Sequence, residues 1–249
     1  MPNPIHKVLS TLKLHNVKCL LMGGQACVFY GAAEFSRDTD VALLASTENL
    51  NKLKRATEEL EAELVAVPKL DIDYLKKGHA IHFRCNHPEA DGMRLDVMSV
   101  MRGLPCFTTL WQRRTTVQIN NLESVELMGL SDLVNAKKTQ RDKDWPMIRR
   151  LVESHYVQFS NVPSAEKIDF WLTELRTPAL LRKIGDRFPD VLEISSKKRP
   201  FLQQIVDMTD EDIEAALADE EAIEREADRE YWKPLRKELE QIRHDLLRG

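Results

Sequence analysis

Leu20-Leu21-Met22-Gly23-Gly24-Gln25-Ala26, followed by Ser36-Arg37-Asp38-Thr39-Asp40-Val41, decides how the chain is read. An apolar strand runs into a glycine pair that opens a short helix, and the next strand carries two carboxylates two residues apart. Side chains alternate across a strand, so Asp38 and Asp40 leave one face about 7 Å apart along the backbone. Two acids so placed repel each other unless a cation sits between them. Hard divalent ions take carboxylate and phosphate oxygens as ligands. A glycine pair before a helix lets backbone N–H groups approach a phosphate at the positive end of the helix dipole. These parts fit a metal-bound nucleoside triphosphate.

Outward from that stretch, 249 residues allow one large domain or two modest ones. The formal net charge of −4 gives no general attraction for nucleic acid. Any such contact must rest on Arg113-Arg114, Arg149-Arg150 or Lys197-Lys198-Arg199, clusters that are ordinarily solvated surface. Cys19, Cys27, Cys85 and Cys106 are widely spaced in apolar contexts and are expected as reduced, buried thiols. No apolar run approaches the length of a membrane span, and no signal peptide is visible, so a soluble cytoplasmic protein is expected.

The spacing predicts a helix over 3–15, a strand at 18–22, a helix at 24–32 and a strand at 38–44. Ser46 or Thr47 caps the next helix, and Asp71 and Asp73 read as a capping region. Residues 79–85 and 93–100 alternate like a hairpin, with a further strand pair at 115–119 and 123–127 joined by Asn120-Asn121-Leu122. Ser131 is expected to cap a helix running through Lys138, and Asp144 the one after it. Beyond residue 155 the pattern is helical, ending in a narrow stripe of Leu235, Leu239, Ile242 and Leu246. The expected class is α+β: a mixed sheet flanked by helices over 1–155, then an all-helical region over 156–249. His79 and His82 suggest zinc by type, but positions i and i+3 of a strand face opposite sides, so they do not share a metal. His82 alone remains open to the cleft.

The ordered set of glycine pair, short helix and Asp-x-Asp strand resembles the nucleotidyltransferase superfamily of DNA polymerase beta type. A third acid on a later strand belongs to that pattern. Lys137-Lys138-Thr139-Gln140-Arg141-Asp142-Lys143-Asp144 adds a likeness to its AbiEii-type branch, the toxin half of bacterial toxin–antitoxin and phage-defence pairs. The similarity covers roughly residues 5–155. Thr39 stands where the family usually has an apolar residue.

The resemblance implies a nucleotidyltransferase fold and a Mg²⁺- or Mn²⁺-dependent enzyme moving a nucleoside monophosphate from ATP or another triphosphate to a hydroxyl. Asp38 and Asp40 would hold the metals, and Asp96, in Arg94-Leu95-Asp96-Val97-Met98, would hold one metal and help deprotonate the acceptor. Gly23 and Gly24 would receive phosphate, Ser36 would orient the loop or touch phosphate, and Arg37 would pair with an acid or the nucleotide. Lys137 or Lys138 would neutralise the triphosphate and Arg141 would grip it, although a basic helix end needs no ligand. Asp144 carries either an active-site role or a helix cap. The implied partners are a nucleoside triphosphate, tRNA or another RNA as acceptor, and an antitoxin protein. The rival readings are a small-molecule, antibiotic-modifying nucleotidyltransferase and a catalytically silent nucleotide-binding or interaction protein.

Overall fold

The computed structural model describes residues 4–33, 36, 38–119 and 124–248. Arg37, among the expected nucleotide ligands, and the Asn120-Asn121-Leu122 junction lie outside them. Contacts divide the chain into two units: Met1–Phe29, Ala33–Ala136 and Glu230–Gly249 form one, Tyr30–Ala32 and Lys137–Arg229 the other. The stretch 137–155 and the last twenty residues therefore fall differently from a cut at residue 155.

The first unit is built on one seven-stranded mixed sheet. Its strands are β1 (Cys19–Met22), β2 (Asp38–Leu43), β3 (Glu63–Leu64), β4 (Ile81–Arg84), β5 (Arg94–Met98), β6 (Thr115–Gln118) and β7 (Ser124–Leu127), in the spatial order β3-β4-β5-β2-β1-β7-β6. β2 runs antiparallel to β1 and parallel to β5, while β4 pairs antiparallel with β5 as the expected hairpin. The period of two sorts most positions of the central strands, although Leu20 and Ala42, on the acid-bearing face, are buried as well. Leu21, Thr39, Val41, Leu43, Ile81, Leu95 and Val97 are all but sealed from solvent. Between them in sequence, Met22, Asp38, Asp40, His82, Arg94, Asp96 and Met98 retain exposure on the other face.

Helices α1 (Pro4–Leu14), α2 (Gly23–Phe29), α3 (Thr47–Glu59), α4 (Ile72–Lys77), α5 (Phe107–Gln112) and α6 (Leu130–Ala136) flank this sheet. Ser46 caps α3 by accepting from the Asn49 amide, and Asp71 caps α4 by accepting from the Asp73 amide. Asn49 is almost fully buried, and its side-chain amide bonds the Lys18 N–H, the Lys18 carbonyl and the Leu44 carbonyl. One polar side chain thus satisfies backbone groups at the start of β1 and the end of β2.

The second unit is helical, as expected: α7 (Asp144–Phe159), α8 (Ala165–Glu174), α9 (Pro178–Arg187), α10 (Pro189–Ser196) and a short 3₁₀ turn at Pro200–Gln204. Trp171, Leu172, Leu181, Ile184, Leu202 and Ile205 make its core. Arg199 is buried but fully engaged, donating to the Leu172 and Leu175 carbonyls and to both oxygens of Glu220. The last helix, α11 (Asp210–Arg248), runs 39 residues with Pro234 inside it. Its expected apolar stripe fades along its length: Leu235 is buried, whereas Leu246 is 68% exposed.

Three local expectations are corrected. Ser131 lies inside α6, which is entered at Gly129 through the Leu133 N–H to Gly129 carbonyl bond and stops short of Lys138. Asp144 begins α7 without capping it, because Lys137, Thr139 and Arg141 occupy its carboxylate. Cys27 and Cys85 are buried thiols, but Cys106 is exposed at the start of α5. Among the described residues no helix is long and apolar enough to cross a membrane.

Candidate active site

The strand register assembles the acids. Asp40 lies opposite Met22 on one side and Asp96 on the other, and Asp96 lies opposite His82. Met22, Asp40, Asp96 and His82 therefore form one row across four strands, on the face opposite the sealed apolar residues. Asp38 stands two residues along β2 from Asp40, opposite Arg94. Parallel pairing of β2 with β5 places Asp96 beside Asp40, although the sequence separates them widely.

The glycine pair fits against these acids. Gly23 has φ +67°, and a Cβ placed there would fall 1.9 Å from the Asp40 Oδ2. A Cβ on Gly24 would lie 2.7 Å from the Ser36 hydroxyl, which in turn donates to the Asp38 carbonyl at 3.1 Å. Any larger residue at Gly23 needs both a strained backbone and a displaced carboxylate. Cys27 Sγ donates to the Gly23 carbonyl at 3.1 Å, which steadies the turn from the helix side.

Asp96 is held by two cationic or dipolar partners. Arg94 Nη2 lies 3.1 and 2.9 Å from its two oxygens, and His82 Nδ1 lies 2.9 Å from Oδ1. The Arg94 Nε donor is buried with no hydrogen-bond partner. It is an unmet donor on a side chain that shares the face of the acids. The three carboxylates present the hard oxygen set that Mg²⁺ or Mn²⁺ prefers, on neighbouring positions of one face. Their side chains do not converge on a single point, and among the described residues no group of three or more His, Cys, Asp or Glu forms a closed metal cluster. The donor types suit a divalent ion, but the described residues do not bring three of them together around one point.

The second set of candidates belongs to the helical unit. Lys137 is buried and donates to Asp144 Oδ1 at 3.0 Å; Thr139 and Arg141 donate to Oδ2, each at 2.7 Å. Burial pushes the Asp144 carboxyl up, but Lys137, the Thr139 hydroxyl and Arg141 together outweigh it and hold the group below the ordinary aspartate value. Lys138 pairs with Glu174 at 2.8 Å. His79 and His82 engage different acids: fully buried His79 bonds Glu238 through Nε2 at 2.9 Å, while His82 bonds Asp96. Arg94 is the residue the sequence reading passed over. Its signal was available, since position i−2 from an acid on an alternating strand shares that acid's face.

No protein-family model matches the chain, and no curated protein matches it. Among solved structures it is similar to the antibiotic-resistance factor ANT(2'')-Ia, at 14% identity and a TM-score of 0.41, covering 68% of this chain and 86% of that one. A likeness of that degree carries no argument for activity or substrate.

Proposed function

We propose that the chain is a nucleotidyltransferase of the DNA polymerase beta type, moving a nucleoside monophosphate from a triphosphate to a hydroxyl. The acceptor oxygen attacks the α-phosphorus, the bond from that phosphorus to its bridging oxygen breaks, and pyrophosphate leaves. Asp96 accepts the hydroxyl proton. Asp38, Asp40 and Asp96 are the residues that would hold Mg²⁺ or Mn²⁺, which supplies charge neutralisation at the phosphates when bound. Gly23 and Gly24 keep backbone N–H groups clear of side chains where phosphate approaches. The Arg94 guanidinium supports the same charge. The observation that carries this reading is the same-face row of Asp40 and Asp96, with Asp38 beside it and Gly23 packed against Asp40.

Lys137, Lys138 and Arg141 enter this reading as phosphate ligands only by exchanging Asp144 and Glu174 for nucleotide. Their present partners support a structural role at least as well. Ser36 acts through the Asp38 backbone.

The AbiEii-type resemblance points to tRNA or another RNA as acceptor and to a toxin held by an antitoxin protein. A second reading, a small hydroxyl compound as acceptor, is favoured by the pairing of the basic clusters. Arg113 bonds Asp132, Arg114 bonds Glu126, Arg149 bonds Glu153, Lys198 bonds Asp169 and Arg199 bonds Glu220. Five of the seven clustered cations are neutralised in this way, and such cations make poor tracks for a nucleic-acid backbone. Incubating the protein and Mg²⁺ with each labelled triphosphate, total RNA and a panel of hydroxyl-bearing antibiotics separates the two. Label in RNA supports the toxin-type reading; label in a small compound supports the other. Label in neither, with no pyrophosphate released, contradicts both.

A further inference from the structure

We infer that the first unit carries a second binding site, on the sheet face opposite the acids, for a small amphipathic carboxylate with an alkyl body. A cavity of about 360 Å³ opens there beside α1, β1 and β7, near the small end of the range for ligand pockets. Leu12, Leu21 and Val41 line it, and each is at most 2% exposed, so its floor is hydrocarbon. Leu21 and Val41 belong to the sealed set of β1 and β2, whose neighbours Met22 and Asp40 face the other way. The inference is therefore independent of the nucleotidyl-transfer reading.

The wall of the cavity supplies the charge. Lys13, Lys18 and Trp111 line it. Lys13 Nζ donates to the Ser124 carbonyl and hydroxyl at 3.2 and 3.1 Å and has no acid partner among the described residues. Lys18 Nζ lies 4.9 Å from the Trp111 ring centroid, also with no acid partner among them. Two ammonium groups with no acid partner among the described residues, beside a hydrocarbon floor, attract a ligand with one anionic end and one apolar end. Lys52 and Glu126, which also line the cavity, are already paired, Lys52 with Glu48 and Glu126 with Arg114, and add less.

The floor itself rejects charge. Leu12, Leu21 and Val41 offer no polar atom to an ionised group, and the half-buried Cys19 thiol beside them is itself pushed up by burial. The carboxylate must stay at Lys13 and Lys18 while the chain enters. Trp111, half-buried at the edge, offers the ring against which the first methylenes pack.

Calorimetric titration of the full chain with decanoate, decanol and acetate tests the site. Decanoate is expected to bind, acetate to show no heat, and decanol to bind at least about tenfold more weakly. A Lys13→Gln, Lys18→Gln double variant, whose side chains are exposed and whose melting curve is checked against the parent, is expected to lose the preference for decanoate over decanol. Failure of decanoate to bind, equal binding of decanol, or unchanged preference in the double variant would each overturn the inference. Because the readout is binding alone, it stands or falls separately from catalysis.

Discussion

Gly23 packs directly against Asp40: a Cβ built on the glycine would lie only 1.9 Å from the Asp40 Oδ2. The turn out of β1 and the acid on β2 are therefore one structural feature. Gly23→Ala meets φ +67° as well as that carboxylate. It is expected to cost about 1–3 kcal/mol of stability and to lower nucleotide transfer more than its loss of folded protein explains. Chemical denaturation beside a rate measurement on the folded fraction checks both.

Asp96 sits between Arg94 and His82, and the two contacts predict graded effects. Asp96→Asn removes the proposed base and is expected to lower turnover by about a hundredfold or more. Arg94→Gln removes the cation that engages both oxygens of Asp96 and is expected to raise the KM for triphosphate. His82→Ala is expected to lower kcat less than Asp96→Asn. A ranking with His82→Ala most damaging would reverse their assigned roles.

Thr39 is fully buried on the apolar side of β2, and its hydroxyl has no hydrogen-bond partner. Thr39→Val replaces that hydroxyl with a methyl of similar shape. The variant is expected to be about 1 kcal/mol more stable than the parent, with unchanged activity, since its neighbours Asp38 and Asp40 face the other way. A melting-temperature decrease would show that the hydroxyl is satisfied in solution.

Asp144 links acid sensitivity to the helical unit. Its folded carboxyl titrates below the unfolded value, so its stabilising contribution is complete above the ordinary aspartate range. That contribution is lost as pH falls through the depressed folded value. Asp144→Ala leaves the Lys137 ammonium buried and is expected to cost about 3–5 kcal/mol. Asp144→Ala with Lys137→Met should recover much of that loss. Equilibrium denaturation at neutral and acid pH tests the linkage.

The sequence disclosed the site's frame because it is local. Leu20 to Val41 holds a strand, a positive-φ glycine and an alternating acid strand within one supersecondary unit, and each announces itself by residue type. Asp96 was legible only through the family order, since its adjacency to Asp40 depends on the parallel pairing of β2 with β5. Arg94 and His82 as partners of Asp96 were harder still, because cross-strand neighbours leave no periodicity of their own. At Asp144 and Ser131 a side chain that suits a helix cap met a stronger tertiary demand or an earlier helix start. The Glu238 bonds to Lys77 and His79 join segments far apart in the chain, and no local pattern marks them.

The most direct measurement is pyrophosphate release from labelled nucleoside triphosphates with Mg²⁺, comparing the intact chain with an Asp38→Ala, Asp40→Ala double variant of matched stability. The account predicts release by the intact chain, dependent on the metal, and none above background from the variant. Equal release from both proteins would contradict it.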